Sequence, residues 1–97
     1  MSFKIIVLDD AQLDIEQAYL FYKKHVSVSI AQLFKKDLQN AYKSLKVNPF
    51  YQFRDDKYRA MPLKKFPYLV FFDIEETSKE VKVIAVFNTN QNQEKYP

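Results

Sequence analysis

The 97-residue chain contains no glycine, where an average usage near 7% predicts about seven. Phosphate-binding loops, dinucleotide-binding turns and nucleophile elbows all need glycine, because their backbone approaches a ligand closely or takes a positive φ. The absence therefore excludes these three kinds of site. Turns must be built instead from Asn, Asp, Ser and Pro.

Cysteine is absent too, so the chain has neither a disulfide framework nor a thiolate nucleophile. No apolar run approaches the ~20 residues of a membrane-spanning helix. Residues 1–10 become acidic too early for a signal peptide. We therefore expect a cytoplasmic protein without membrane contact, and no pattern predicts a cofactor.

Aromatic residues are abundant, with 9 Phe and 7 Tyr in a chain that is 47% apolar. This is enough bulky side-chain volume for one core, so we expect residues 1–97 to form a single domain. The net charge of +3 is unevenly spread, because residues 43–65 hold seven basic side chains against Asp55 and Asp56. This basic segment is either a solvated surface or a patch that meets an anionic partner.

Hydrophobic periodicity predicts two helices. Apolar residues recur at helical spacing over residues 11–24 and again over residues 29–47, with Asp9 or Asp10 and then Ser27 or Ser29 as candidate caps. Pro49 ends the second helix, since the residue before a proline avoids the helical region. The short link between them predicts a helical hairpin. His25 falls in that link and is expected at the surface.

The remaining apolar runs predict strands. They cover residues 3–8, 50–53, 57–63, 68–74 and 81–87. The first reads as a strand covered on both faces. Pro62 and Pro67 make residues 57–63 an edge strand. The order β-α-α-β-β-β predicts an α+β fold, a helical hairpin packed on a mainly antiparallel sheet. Expected buried residues are Ile15, Tyr19, Phe34, Leu38, Leu69, Phe71, Val83 and Ala85.

Carboxylates cluster at the start of the first helix, at Asp9, Asp10, Asp14 and Glu16. They can be interpreted as a metal cluster or, more simply, as acidic residues that complement the helix dipole. The simpler interpretation predicts no metal site.

The pattern Y-R…L-K-K-F-P-Y…F-F…V-x-V-I-A-V-F-N-T over residues 58–89 resembles the second half of the RelE/ParE toxin superfamily. Residues 14–24 (DIEQAYLFYKK) and residues 31–49, with the pattern F…L……L…NP, resemble its helical half. The resemblance covers nearly the whole chain. It implies a plasmid-stabilisation type of toxin from a type II toxin–antitoxin module.

The superfamily implies two alternative activities. ParE-like members poison DNA gyrase, whereas RelE-like members cleave mRNA on the ribosome without a metal. Cleavage would place transition-state cations and proton transfer on Arg59, Lys64 and Tyr96. Either target would be met by a set of polar and basic residues, namely Arg54, Lys57, Arg59, Lys64, Lys65, Asn88 and Gln91. An inactive homologue of the fold is the third possibility.

Two positions depart from the pattern of the cleaving relatives. Those relatives read roughly F-H-x-x-R-x-P after the last strand, and this chain has Asn88 and Gln91 in place of the His and the Arg. Neither side-chain amide can take up and transfer a proton, or carry a positive charge, at neutral pH. The departures favour a ParE-like growth inhibitor that acts on gyrase or an unknown target.

The resemblance also implies a cognate antitoxin. Leu13, Leu20 and Phe21 lie off the main apolar stripe of the first helix, so they should leave apolar surface beside the hairpin. An antitoxin segment that folds on binding is expected to cover them. The oligomeric state is not predicted.

Overall fold

The computed structural model describes residues 2–51 and 57–90. In the described residues, two helices follow a first strand, and three more strands follow the helices. The elements are β1 (Lys4–Val7), α1 (Asp9–His25), α2 (Val28–Val47), β2 (Arg59–Pro62), β3 (Tyr68–Glu75) and β4 (Glu80–Asn88). The predicted order and the α+β class are confirmed. None of the described helices is long and apolar enough to cross a membrane.

The helix boundaries follow local chemistry, with one correction. Asp9 and Asp10 do not cap α1; Leu8 occupies the N-cap without a side-chain bond, and the two aspartates lie in the first turn. There they complement the helix dipole. Ser27 caps α2 as predicted, since its Oγ accepts from the Ile30 N–H at 3.1 Å. The helix ends at Val47, and Asn48, the residue before Pro49, is its C-cap.

The strands form one mixed sheet in the order β1-β4-β3-β2. Only β1 runs parallel to its neighbour, β4, so the sheet is mainly antiparallel as predicted. The expectation that residues 3–8 are covered on both faces is wrong. β1 is an edge strand, with Lys4 exposed and its other residues half-buried, because the helical hairpin returns the chain to β2 at the opposite edge. A short apolar run does not distinguish these two positions.

The other edge strand, β2, accommodates a proline. Pro62 pairs with Leu69, and the Leu63 N–H donates to the Tyr68 carbonyl. In an antiparallel pair these positions alternate, so the nitrogen of Pro62 faces away from β3 and no ladder bond is lost. The strand predicted over residues 50–53 is not found at Phe50 or Tyr51, and residues 52 and 53 lie outside the described residues.

Core residues occupy both faces of the sheet. The larger cluster joins α1 and α2 to one face, and a smaller one, on the other face, contains Ala60, Leu69, Phe71 and Ala85. The register of β4 shifts between its Phe71 and Phe72 pairings, which leaves Ile84 as the extra residue of a β-bulge. Val83 and Ala85 are therefore both buried, as predicted, although on opposite faces. Of the eight expected buried residues, only Tyr19 is wrong; it is half-buried.

Candidate functional site

The turn between β2 and β3 is held by a buried carboxylate. We call residues 64–67 the basic loop. Asp37 of α2 is only 5% exposed. Its Oδ2 accepts the N–H of Lys65 at 2.8 Å and of Phe66 at 3.1 Å, and its Oδ1 accepts that of Lys64 at 3.4 Å. Three backbone donors on one carboxylate fix the course of the loop.

The basic loop is also packed against the two helices through aromatic rings. The Phe66 ring lies 5.1 Å from that of Tyr22 and 5.5 Å from that of Phe34, in edge-to-face geometry. Burial, together with a hydrogen bond to Tyr68, raises the pKa of Tyr22 to about 12. The side chains of Lys64 and Lys65 remain exposed. The basic loop thus presents two cations from a fixed backbone.

A groove of about 450 Å³ opens between α1 and the end of β4. We call it the α1–β4 groove. Its lining residues are Asp14, Gln17, Ala18, Phe21, Tyr68, Val86, Phe87 and Asn88. The Thr89 N–H donates to the Pro67 carbonyl at 2.7 Å. The end of β4, where Asn88 pairs with Tyr68, therefore lies beside Pro67 of the basic loop.

One wall of the groove depends on Asp14. β1 pairs with β4 only as far as Val83, and farther on the Val86 N–H donates to Asp14 Oδ2 at 3.0 Å. The Asp14 carboxylate thus accepts a backbone N–H of β4 beyond the point where β1 ends. Burial raises the pKa of Asp14; the Val86 N–H opposes this and the nearby charge of Asp10 adds to it.

The three residues of the predicted cleavage set are not seen together. Arg59 begins β2, and its guanidinium donates to the Tyr51 carbonyl and lies 5.7 Å from the Phe50 ring centroid. Lys64 follows the far end of the same strand, about 15 Å away at the rise of a β-strand. Tyr96 lies outside the described residues, as do Arg54 and Gln91.

The remaining predicted contacts lie on two other surfaces. The Lys57 Nζ lies 5.9 Å from the Tyr58 ring centroid, next to Arg59 and away from the basic loop. On α1, the side chains of Leu13, Leu20 and Phe21 are 53%, 58% and 54% exposed. The sequence-based expectation of open apolar surface on the hairpin agrees with these values.

Asp37 and Asp14 are the residues that the sequence reasoning missed as parts of this site. A signal existed for Asp37, which falls on the buried stripe of α2 between Phe34 and Leu38. A carboxylate on an apolar stripe indicates a buried hydrogen-bond partner. For Asp14 the sequence suggests only a metal ligand or a complement to the helix dipole. Within residues 2–51 and 57–90 no three potential ligand side chains are grouped to hold a metal ion.

Comparison with known proteins supplies the family. A family model described as the ParE toxin of type II toxin–antitoxin systems, parDE, matches residues 5–93. The chain belongs to the ParE toxin family. Among solved structures, this ParE-family chain is similar to one from the chromosomal ParDE TA system of P. aeruginosa, with a TM-score of 0.77. That match has 16% identity and covers 92% of this chain and 98% of the other, and it supports the fold. No curated protein sequence matches.

Proposed function

We propose that this ParE-family toxin inhibits growth in the cytoplasm by binding DNA gyrase, and that a cognate antitoxin neutralises it. The observation that carries the proposal is the basic loop. Its backbone is fixed by Asp37, and its two lysines are exposed. A preordered cationic surface of this kind binds an anionic partner without breaking a bond in it.

The ribosome-dependent cleavage of mRNA is the alternative, and the geometry favours it less. Proton transfer near neutral pH needs a group whose pKa lies near 7. Phe66 of the basic loop packs against Tyr22, whose pKa burial raises to about 12. The Asp14 carboxylate, in the α1–β4 groove, accepts the Val86 N–H. Arg59 is bonded to the Tyr51 carbonyl at a distance from Lys64. These features support binding over catalysis.

The antitoxin is proposed to cover Leu13, Leu20 and Phe21, which are the exposed apolar residues of α1. An amphipathic helix or extended segment that folds on binding suits such a surface. Co-expression with the product of the neighbouring gene should give a stable complex. Absence of a complex at micromolar concentration contradicts this part of the proposal.

Two assays with the unmodified protein test the target. The purified chain is added to gyrase in a supercoiling reaction, and separately to ribosomes programmed with mRNA. We expect inhibition of supercoiling and intact mRNA. A codon-positioned cut in the mRNA overturns the proposal and assigns the chemistry to Arg59, Lys64 and Tyr96.

A further inference from the structure

The side of α1 that faces away from the core carries a continuous stripe of exposed residues. We call this stripe the outer face of α1. At 100° per residue its members fall within a sector of about 100°, centred away from the buried Ala11, Ile15 and Ala18. They are all exposed: Asp10, Leu13, Gln17, Leu20, Phe21 and Lys24.

The charges on this face are ordered along the helix. Asp10 lies at its start and Lys24 at its end. Each is seven residues from Gln17, which corresponds to about 10 Å along the axis. Leu13 and Phe21 lie four residues on either side of Gln17. Reversed about Gln17, the face therefore sets opposite charges level at one pair and apolar side chains level at the other. Leu20, the remaining member, falls level with Asp14, which lies beside the face.

We propose that two copies of this chain associate through the outer face of α1, antiparallel, with a two-fold axis at Gln17. Asp10 then lies level with Lys24 of the partner subunit, and Leu13 level with Phe21 of the partner subunit. The two Gln17 amides face one another and can exchange hydrogen bonds. An isologous contact of this kind closes at two copies.

In the single chain, the two charged residues of this face are exposed to solvent. Within the described residues, Asp10 and Lys24 form no ion pair with each other or with any neighbour. Asp10 also lies one turn from Asp14, and like charges at that spacing repel. The effect is visible in the pKa of Asp14, which the charge of Asp10 raises further. A second copy brings Lys24 of the partner subunit to Asp10.

A parallel pairing would place Asp10 beside Asp10 of the partner subunit, and Lys24 beside Lys24 of the partner subunit. Like charges directly opposed disfavour that arrangement. A central polar residue such as Gln17 also fixes register, as buried amides do in helical dimers. The antiparallel register is thus the one that the charges select.

The pairing has a consequence that depends on the proposed function. The outer face includes Leu13, Leu20 and Phe21, so a dimer and the antitoxin complex exclude one another. The dimer itself is tested with the purified chain alone. Failure of the dimer therefore leaves the gyrase and antitoxin proposals standing, and their failure leaves the dimer standing.

Cross-linking tests the two-fold axis. The chain has no cysteine, so a Gln17→Cys variant carries a single thiol. We expect mild oxidation to give a disulfide-linked dimer at micromolar concentration. Glu16→Cys is the matched control, because Glu16 is exposed and points about 100° away from Gln17. Equal cross-linking of both variants, or of neither, overturns the proposed axis.

Charge exchange tests the register. Sedimentation velocity measures the dimer dissociation constant of the unmodified chain and of Lys24→Glu, Asp10→Lys and the double variant. We expect each single reversal to weaken the dimer about tenfold or more and the double variant to restore it to within about threefold. Lys23→Glu, one residue off the face, should leave the constant unchanged.

Three results overturn the proposal. The first is a monomer at about 100 μM, a concentration at which even a weak specific dimer forms. The second is a dimer that Lys23→Glu weakens as much as Lys24→Glu. The third is a double variant that is no tighter than the single ones. All the substituted side chains are exposed, so circular dichroism should show an unchanged fold.

Discussion

At the scale of single residues, the clearest imperfection in the core is the hydroxyl of Tyr42. It is buried and has no hydrogen-bond partner. An unsatisfied buried hydroxyl lowers stability, so Tyr42→Phe should raise the free energy of unfolding at pH 7 by about 1 kcal/mol. Urea unfolding measures this, and Tyr51→Phe at an exposed tyrosine is the matched control. A less stable Tyr42→Phe variant contradicts the prediction.

Ionisation of the same side chain should lower the stability of the fold at alkaline pH. Burial raises the pKa of Tyr42 from 10.0 to about 12 in the folded chain. A raised folded pKa means that its contribution is complete below pH 10, and is lost as pH rises through 12. Stability of the unmodified chain should therefore fall over this window. Tyr42→Phe should fall less steeply over the same pH range.

Asp14 accepts a hydrogen bond from the Val86 N–H, but its burial disfavours the charged form of the carboxylate. Burial raises its pKa, so its contribution to stability is complete below the unfolded pKa and is lost as pH rises through the folded one. Asp14→Asn keeps an acceptor for the Val86 N–H and carries no charge. We expect this variant to be at least as stable as the parent at pH 7, with less advantage near pH 3. Asp14→Ala should lose about 1–2 kcal/mol.

At the scale of elements, the basic loop depends on a contact between residues far apart in sequence. Asp37→Ala leaves three backbone N–H groups without their acceptor, and should cost on the order of 3 kcal/mol. Asp37→Asn should cost less than Asp37→Ala, because the oxygen of the amide can still accept a hydrogen bond. Urea unfolding ranks the variants, and amide exchange at Lys65 and Phe66 locates the effect. Slow exchange in Asp37→Ala contradicts this role.

The turn before β4 shows how the chain manages without glycine. Lys79 adopts φ 57° there, a conformation that costs an L-residue with a β-carbon about 1–2 kcal/mol. Its Nζ also lies 5.3 Å from the Phe3 ring centroid. Lys79→Gly and Lys79→Ala both remove that contact. The glycine variant should be more stable than the alanine variant by about 1 kcal/mol, measured by thermal unfolding. If the glycine and alanine variants are equally stable, the backbone at residue 79 is not strained.

Elements with a strong local period were predictable, and those set by distant partners were not. The stripes of α1 and α2 and the apolar run of β3 appear in the sequence because each buries one side along its length. β1 is an edge strand because the chain, after the helical hairpin, enters the sheet as β2 at the opposite edge. The bulge at Ile84 depends on pairing with β3. Likewise, Lys64 and Lys65 were found from the sequence, whereas the bonds from Asp37 span up to 29 residues.

At the scale of the whole molecule, two surfaces are assigned to different partners. The basic loop is proposed to meet the target, and the exposed apolar residues of α1 to meet the antitoxin. The α1–β4 groove lies between them. If the assignment is right, substitutions on each surface should change one activity and spare the other.

A pair of double variants tests that separation. Lys64→Gln with Lys65→Gln removes two charges but introduces none beside Asp37, so the loop should keep its course. We expect loss of growth inhibition with antitoxin affinity unchanged to within about threefold. Lys23→Gln with Lys36→Gln, two exposed lysines on the helices, is the matched control and should remain toxic.

The second double variant, Leu20→Ser with Phe21→Ser, changes only the apolar surface, where both side chains are more than half exposed. Lost apolar contact should weaken antitoxin binding tenfold or more, at about 25 cal/mol per Å² of surface no longer buried. Growth inhibition should persist and resist rescue by the antitoxin. Calorimetry and growth curves measure the two effects, after thermal unfolding has shown that both proteins are folded. If each double variant weakens both activities together, one continuous surface serves both partners, and the division between loop and helix is wrong.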